Sequence, residues 1–179
     1  MEETICEAVS LELKKILKKG DLEGFKALVK SNNIKLDQRL FAKRKGDQWP
    51  LLNRVLDGDF SNRNFKGRFE IANYLIESGV DINDSAPYGC SPLCTVLNEH
   101  YYLRTSKAKY DVYLYTLVLA LEMVRNEKVD VSKLTRASFG ILDAAHQVVD
   151  IHDEKEQPEL HKIASQIVKE LVAKGTELE

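Results

Sequence analysis

Apolar residues in this chain return at intervals of three and four, in short runs that are each cut off by glycine, asparagine, aspartate or proline. That spacing lines up one face of a helix; one face of a strand would need an interval of two. The chain is therefore expected to be all-α, made of short helices that each bury a single stripe. In the first, Thr4 and Glu7 are spaced as a capping box, and Ile5, Val9, Leu13 and Ile16 recur until Gly20. Asp21 is placed to cap a second helix carrying Leu22, Phe25, Leu28 and Val29, so the tight Gly20-Asp21 turn predicts a helical hairpin. Between Gly67 and Gly79, Phe69, Ala72, Leu75 and Ile76 form another stripe, with Gly79 expected as a left-handed cap. Tyr113, Leu114, Leu117, Val118, Leu121 and Val124 span so wide an arc that their helix is expected to be central, between neighbours. The last helix opens at Pro158, carries Leu160, Ile163, Ala164, Ile167, Val168 and Leu171, and closes at Lys174-Gly175. Its opposite face, with Lys162, Gln166, Lys169 and Glu170, is polar, as suits the last member of a stack.

A length of 179 residues fits one domain with a core of its own. The formal net charge of −2 argues against a dedicated binder of nucleic acid or anionic lipid, so neither is expected as a partner. The longest nearly apolar run, Val112 to Leu121, is about half a membrane span and is broken by Thr116, and no membrane insertion is expected. Acidic residues follow Met1 where a secretory leader would be basic, which makes a cytoplasmic address, of the producing cell or of a host, the expectation. Cys6, Cys90 and Cys94 are odd in number and sit in apolar patterns, as reduced thiols do.

A second recurrence lies just ahead of several helices. Gly46-Asp47-Gln48-Trp49-Pro50-Leu51-Leu52 and Gly89-Cys90-Ser91-Pro92-Leu93-Cys94 share a glycine, a proline and a following leucine, and Ala137 to Ala145 is a weaker third copy. These resemble the T-P-L-H-x-A turn and inner helix of ankyrin repeats, and Tyr74 to Asn83 resembles the outer helix and trailing Gly-Ala-Asp-Val-Asn of that family. Leu171 to Gly175 resembles a truncated copy; Lys128 to Val131 and Asn33 to Asp37 resemble copies without the glycine. The resemblance implies one ankyrin-type helical-hairpin solenoid over residues 1–179, with short turn fingers and approximate units 1–37, 38–83, 84–131 and 132–179. The spacing departs from the family by roughly ten to fifteen residues beyond a period of about 33, and the surplus falls at 57–66, 100–109 and 151–157, between inner and outer helices. Such loops would build a ridge along one edge, bearing Phe60, Arg63, Phe65, His100, Tyr101, Tyr102 and Arg104.

No P-loop, dinucleotide fingerprint or nucleophile elbow is present. Asp57-Gly58-Asp59 begins like a calcium loop, but its sixth position is Asn62 and its twelfth is Arg68, so a cation is not expected there. Cys90 and Cys94 lack further ligands at zinc spacing. No catalytic residue, cofactor or metal is expected. The resemblance instead implies a monomeric interaction module, an adaptor, scaffold or effector, that binds another protein through its concave face and turn fingers. The corresponding positions are Arg44, Lys45, Asp47, Trp49, Asn53 and Arg54 in the second unit, Tyr88, Thr95 and Asn98 in the third, and Arg136 and Asp143 in the fourth. Trp49 stands out, since a large amphipathic ring replaces the family's small threonine. The alternative is a helical enzyme or small-ligand protein with a site among His100, Tyr101, His146 and His152.

Overall fold

A computed structural model describes residues 7–37, 39–40, 49–57, 65–86, 89–104, 109–134 and 140–175. Helix dominates them, with neither a barrel nor an extended sheet. In chain order the elements are α1 (Glu7–Lys19), α2 (Leu22–Ser31), β1 (Arg39–Leu40), β2 (Trp49–Pro50), α3 (Leu51–Leu56), α4 (Phe65–Glu77), α5 (Pro92–Leu103), α6 (Tyr110–Arg125), α7 (Ile141–Asp150) and α8 (Pro158–Ala173). No described helix is long and apolar enough to cross a membrane.

Local chemistry sets the helix ends. The Asp21 carboxylate accepts the Gly24 N–H at 2.8 Å and opens α2, and the Ser91 hydroxyl accepts the Cys94 N–H at 3.2 Å and opens α5. Pro158 stands in the first turn of α8, where a missing N–H is harmless. At the end of α4, Gly79 takes φ +85°, which lets Val80 N–H reach the Leu75 carbonyl and Gly79 N–H reach that of Ile76. Gly20 (φ 64°) ends α1 with the same pair of bonds. After α2, Asn33 does so at φ 48°: it is a non-glycine residue that tolerates the left-handed region, which explains how that segment closes without a glycine. The proposed Thr4–Glu7 capping box falls partly outside the described residues.

Each of α1, α3, α5 and α7 packs against the helix that follows it, giving four pairs. Between pairs, α3 packs on α5 and α5 on α7, while α2 packs on α4, α4 on α6 and α6 on α8. The helices thus form two adjacent rows. The first pair departs from the pattern, since α1 also leans on α4. There the approach is so close that a Cβ on Gly67 of α4 would fall onto the backbone of Gly20 in the α1–α2 turn. The core is one continuous cluster running from Leu13, Ile16 and Leu17 through Phe25, Leu75, Leu97 and Met123 to Leu160, Ile167 and Leu171. α6 is central, as its pattern predicts, with α4, α5 and α8 around it. Its arc is not wholly covered: Tyr115 and Val118 remain exposed.

The strands, which the periodicity did not signal, form a two-residue antiparallel ladder immediately before α3, pairing Arg39 with Pro50 and Leu40 with Trp49. Ahead of α5 the corresponding backbone closes as a turn, Ala86 N–H to Cys90 O at 2.9 Å, with Gly89 at φ 77°.

Candidate functional site

Of the eleven positions expected to meet a partner, Arg44, Lys45, Asp47, Tyr88 and Arg136 lie outside the described residues. Trp49 is half-buried in β2, opposite Leu40. Arg54 is half-exposed on α3 and pairs with Asp57 at 3.3 Å. Asp143 is half-exposed in the first turn of α7. Asn98 is half-buried, and its amide points at the sulfurs of Cys94 (3.5 Å) and Cys90 (3.8 Å). Neither of those thiols is in a disulfide, and the described residues contain no cluster of three or more ligands fit for a metal.

Two positions require correction. Asn53 is fully buried, and its amide N–H donates to the Cys90 carbonyl at 2.9 Å, 37 residues away. It joins α3 to the turn ahead of α5 and is not on offer to a partner. Thr95 is also buried, its hydroxyl donating to the Ser91 carbonyl at 3.0 Å. Asn53 reaches across to the turn ahead of α5, and the Thr95 hydroxyl is turned back onto the first turn of its own helix. A comparable joint is made by Asn83, whose side chain donates to Lys128 O at 2.8 Å and accepts from Asp130 N–H at 2.8 Å. Arg68 performs a similar service within a pair, donating to the Val55 and Asp57 carbonyls at the end of α3.

The histidines regroup. His146 is exposed on α7, and Tyr101 lies under the Arg104 guanidinium at 4.2 Å, so neither joins a common site. His100 and His152, by contrast, are brought together from α5 and from the α7–α8 connection, with Nε2 to Nε2 at 2.7 Å and relative exposures of 0% and 3%. His100 Nδ1 lies 2.6 Å from the Thr116 hydroxyl of α6, and His152 Nδ1 lies 2.6 Å from Gln157 Oε1. Tyr113 packs edge-on against both rings, at 5.3 and 5.5 Å between centroids. His161 of α8 donates from Nδ1 to the His152 carbonyl at 2.9 Å. Burial, and then the neighbouring His152, push the His100 pKa down to about 3. His152 is lowered as well, first by burial, against the hydrogen bond from Gln157 that works to raise it, and then by His161.

Thr116, Gln157, Tyr113 and His161 completed this cluster without having been singled out. Only Thr116 left a trace, as the lone polar residue in the apolar run 112–121. The cluster offers no carboxylate or cysteine among the side chains hydrogen-bonded to the two rings, and its imidazoles are closed to solvent. What it can do is tie α5, α6 and the α7–α8 connection together and respond to protons. No family model matches the chain, and no curated protein matches it either.

Proposed function

We propose that this protein is a divergent ankyrin-type solenoid that docks another protein along its row of inner helices and the turns ahead of them, and that it catalyses no reaction. The observation that carries the reading is the Asn83 joint. The asparagine that ends the best ankyrin-like segment grips the main chain of the corresponding loop one unit on, at Lys128 and Asp130. That is how units which each leave an apolar side bare would be held in register. The two rows of helices, the short ladder before α3 and the hydrogen-bonded turn before α5 support the same reading.

The docking row would be anchored by Trp49, with Arg54, Asn98 and Asp143 beside it, since these keep exposed surface where Asn53 and Thr95 do not. A half-buried tryptophan is the kind of group that dominates interface energy, and an arginine is a frequent companion. The closed state of the histidine pair speaks against the small-ligand alternative, because a ligand would have to unseat a fully buried ring. The test is partner capture with wild type and with a Trp49→Ala, Arg54→Ala double variant, alongside a Leu11→Ala control on the exposed face of α1. Loss of one specific partner in the double variant alone, with the circular dichroism of wild type retained, supports the docking row. Equal capture by all three proteins removes it.

A further inference from the structure

All four histidines of the chain lie beyond residue 99, and three of them converge on one joint. The hydrogen atoms at that joint can be followed one by one. The Thr116 oxygen lies 3.0 Å from the Val112 carbonyl and 2.9 Å from that of Tyr113, so its single hydrogen is committed to its own helix. Its lone pair then accepts from His100 Nδ1–H at 2.6 Å. A neutral His100 protonated at Nδ1 has only a lone pair at Nε2, and at 2.7 Å that lone pair must accept from His152 Nε2–H. Two ways of ending the chain remain. A neutral His152 has a bare Nδ1, which needs the Gln157 amide to present its NH2. A protonated His152 carries hydrogen on Nδ1 as well, and then the amide oxygen at 2.6 Å is the correct partner.

We propose that Thr116, His100, His152 and Gln157 form a proton-counting clamp, which takes up one proton while closed by turning the Gln157 amide and is opened by a second. The second proton can go only to His100 Nε2, where it would face His152 Nε2–H across 2.7 Å inside the core. His152 Nε2–H has no lone pair to accept that hydrogen, and both rings are closed to the solvent that would screen the two charges. Opening frees the α7–α8 connection from α5 and α6, and with it the His152 carbonyl held by His161 at the start of α8.

Among the described residues, the surrounding groups hydrogen-bond no carboxylate to the two rings, and His161 acts on the pair by lowering His152. α5 contributes His100, and α6 contributes Tyr113 and Thr116; burial keeps the Tyr113 phenol above its ordinary range and so uncharged. The connection contributes His152 and Gln157, and α8 contributes His161. Asp153, the carboxylate adjacent in sequence, is occupied by the N–H groups of Lys155 and Glu156. The lowered basicity of both buried rings agrees with opening below neutrality.

The test is amide hydrogen exchange of the full chain from pH 8 to pH 4.5, corrected for intrinsic rates, with 15N imidazole spectra recorded in parallel. The expected result is that opening of residues 151–161 rises by up to about a hundredfold per pH unit once open imidazoles protonate, and by about tenfold per unit after the closed clamp has taken its first proton. α4, which faces no histidine, is expected to stay flat. Gln157→Leu removes the oxygen that accepts the hydrogen bond from the newly protonated His152 Nδ1, so the hundredfold slope should persist to lower pH; Gln157→Glu should bring the first uptake to higher pH. The inference is overturned if residues 151–161 are as insensitive to acid as α4. It is equally overturned if both rings stay neutral until the joint opens, or if the wild-type spectra show two independent titrations near pH 6.5.

Discussion

The two halves of this molecule hold their helix pairs together by different chemistry. Between the first and second pairs the contact is one of shape: Gly67 lies against the Gly20 backbone, and Phe25 meets Tyr74 edge to face at 6.2 Å. Between the second and third, Asn53 and Asn83 bond to main-chain groups. Between the third and fourth, the buried polar joint is a pair of imidazoles. Packing and amides do not titrate at ordinary pH, whereas imidazoles do. Among these joints, only the one between the third and fourth pairs is built from groups that titrate near neutral pH.

The contrast can be broken at several points, in descending order of effect. Phe25→Ala empties a fully buried ring site and should destabilise by about 3–5 kcal/mol in urea titration. Its damage should appear as lost protection in α1, α2 and α4, with the acid response of residues 151–161 unchanged. If that response moves too, the halves are not independent.

Acid should act in the opposite place. His100 has a folded pKa of about 3 against an unfolded value of 6.5, so the unfolded chain binds its proton first. The stability that this group contributes is complete above pH 6.5 and is lost progressively as pH falls toward 3, at about 1.4 kcal/mol per pH unit for one proton. Denaturant midpoints at pH 7.5, 6 and 5 should fall accordingly. A midpoint that rises as pH falls through this window would reverse the assignment of the neutral ring.

Gly67→Ala should destabilise by about 1–3 kcal/mol, because overlap with the Gly20 backbone outweighs the helix-propensity gain of about 1 kcal/mol. A stabilised variant would mean that the turn yields. Asn83→Ala should lose about 1–2 kcal/mol, leaving the Lys128 carbonyl and the Asp130 N–H without the side chain they share. Arg54→Ala should change stability by no more than about 0.5 kcal/mol, since its pair with Asp57 is half exposed. That makes Arg54 a usable probe of partner capture without loss of folding.

Much of the architecture was readable from the residues. The caps at Gly20, Asp21, Gly79 and Pro158 and the apolar stripes depend on neighbours within a few positions, which a sequence displays directly. Partners far along the chain were not readable in this way. Periodicity tells which side of α3 and α5 is buried, yet it could not tell that Asn53 reaches Cys90 or that the Thr95 hydroxyl is buried against the Ser91 carbonyl. The four residues His100, Tyr101, His146 and His152 were grouped by chemical type, and only the two whose rings point inward proved to meet. Thr116, 16 residues from its ring, and Gln157, at the end of a seven-residue connection, carry no local signal of pairing. The short ladder at Leu40 and Trp49 was hidden for a simpler reason: two residues are too few to show an alternation.

The Asn83 amide holds a carbonyl oxygen and an amide hydrogen, groups that almost every residue supplies. Lys128 and Asp130 could therefore be exchanged for many other side chains without weakening that attachment, provided the loop keeps its path. A fastener of this kind lets the spelling of the gripped loop drift while its geometry stays put.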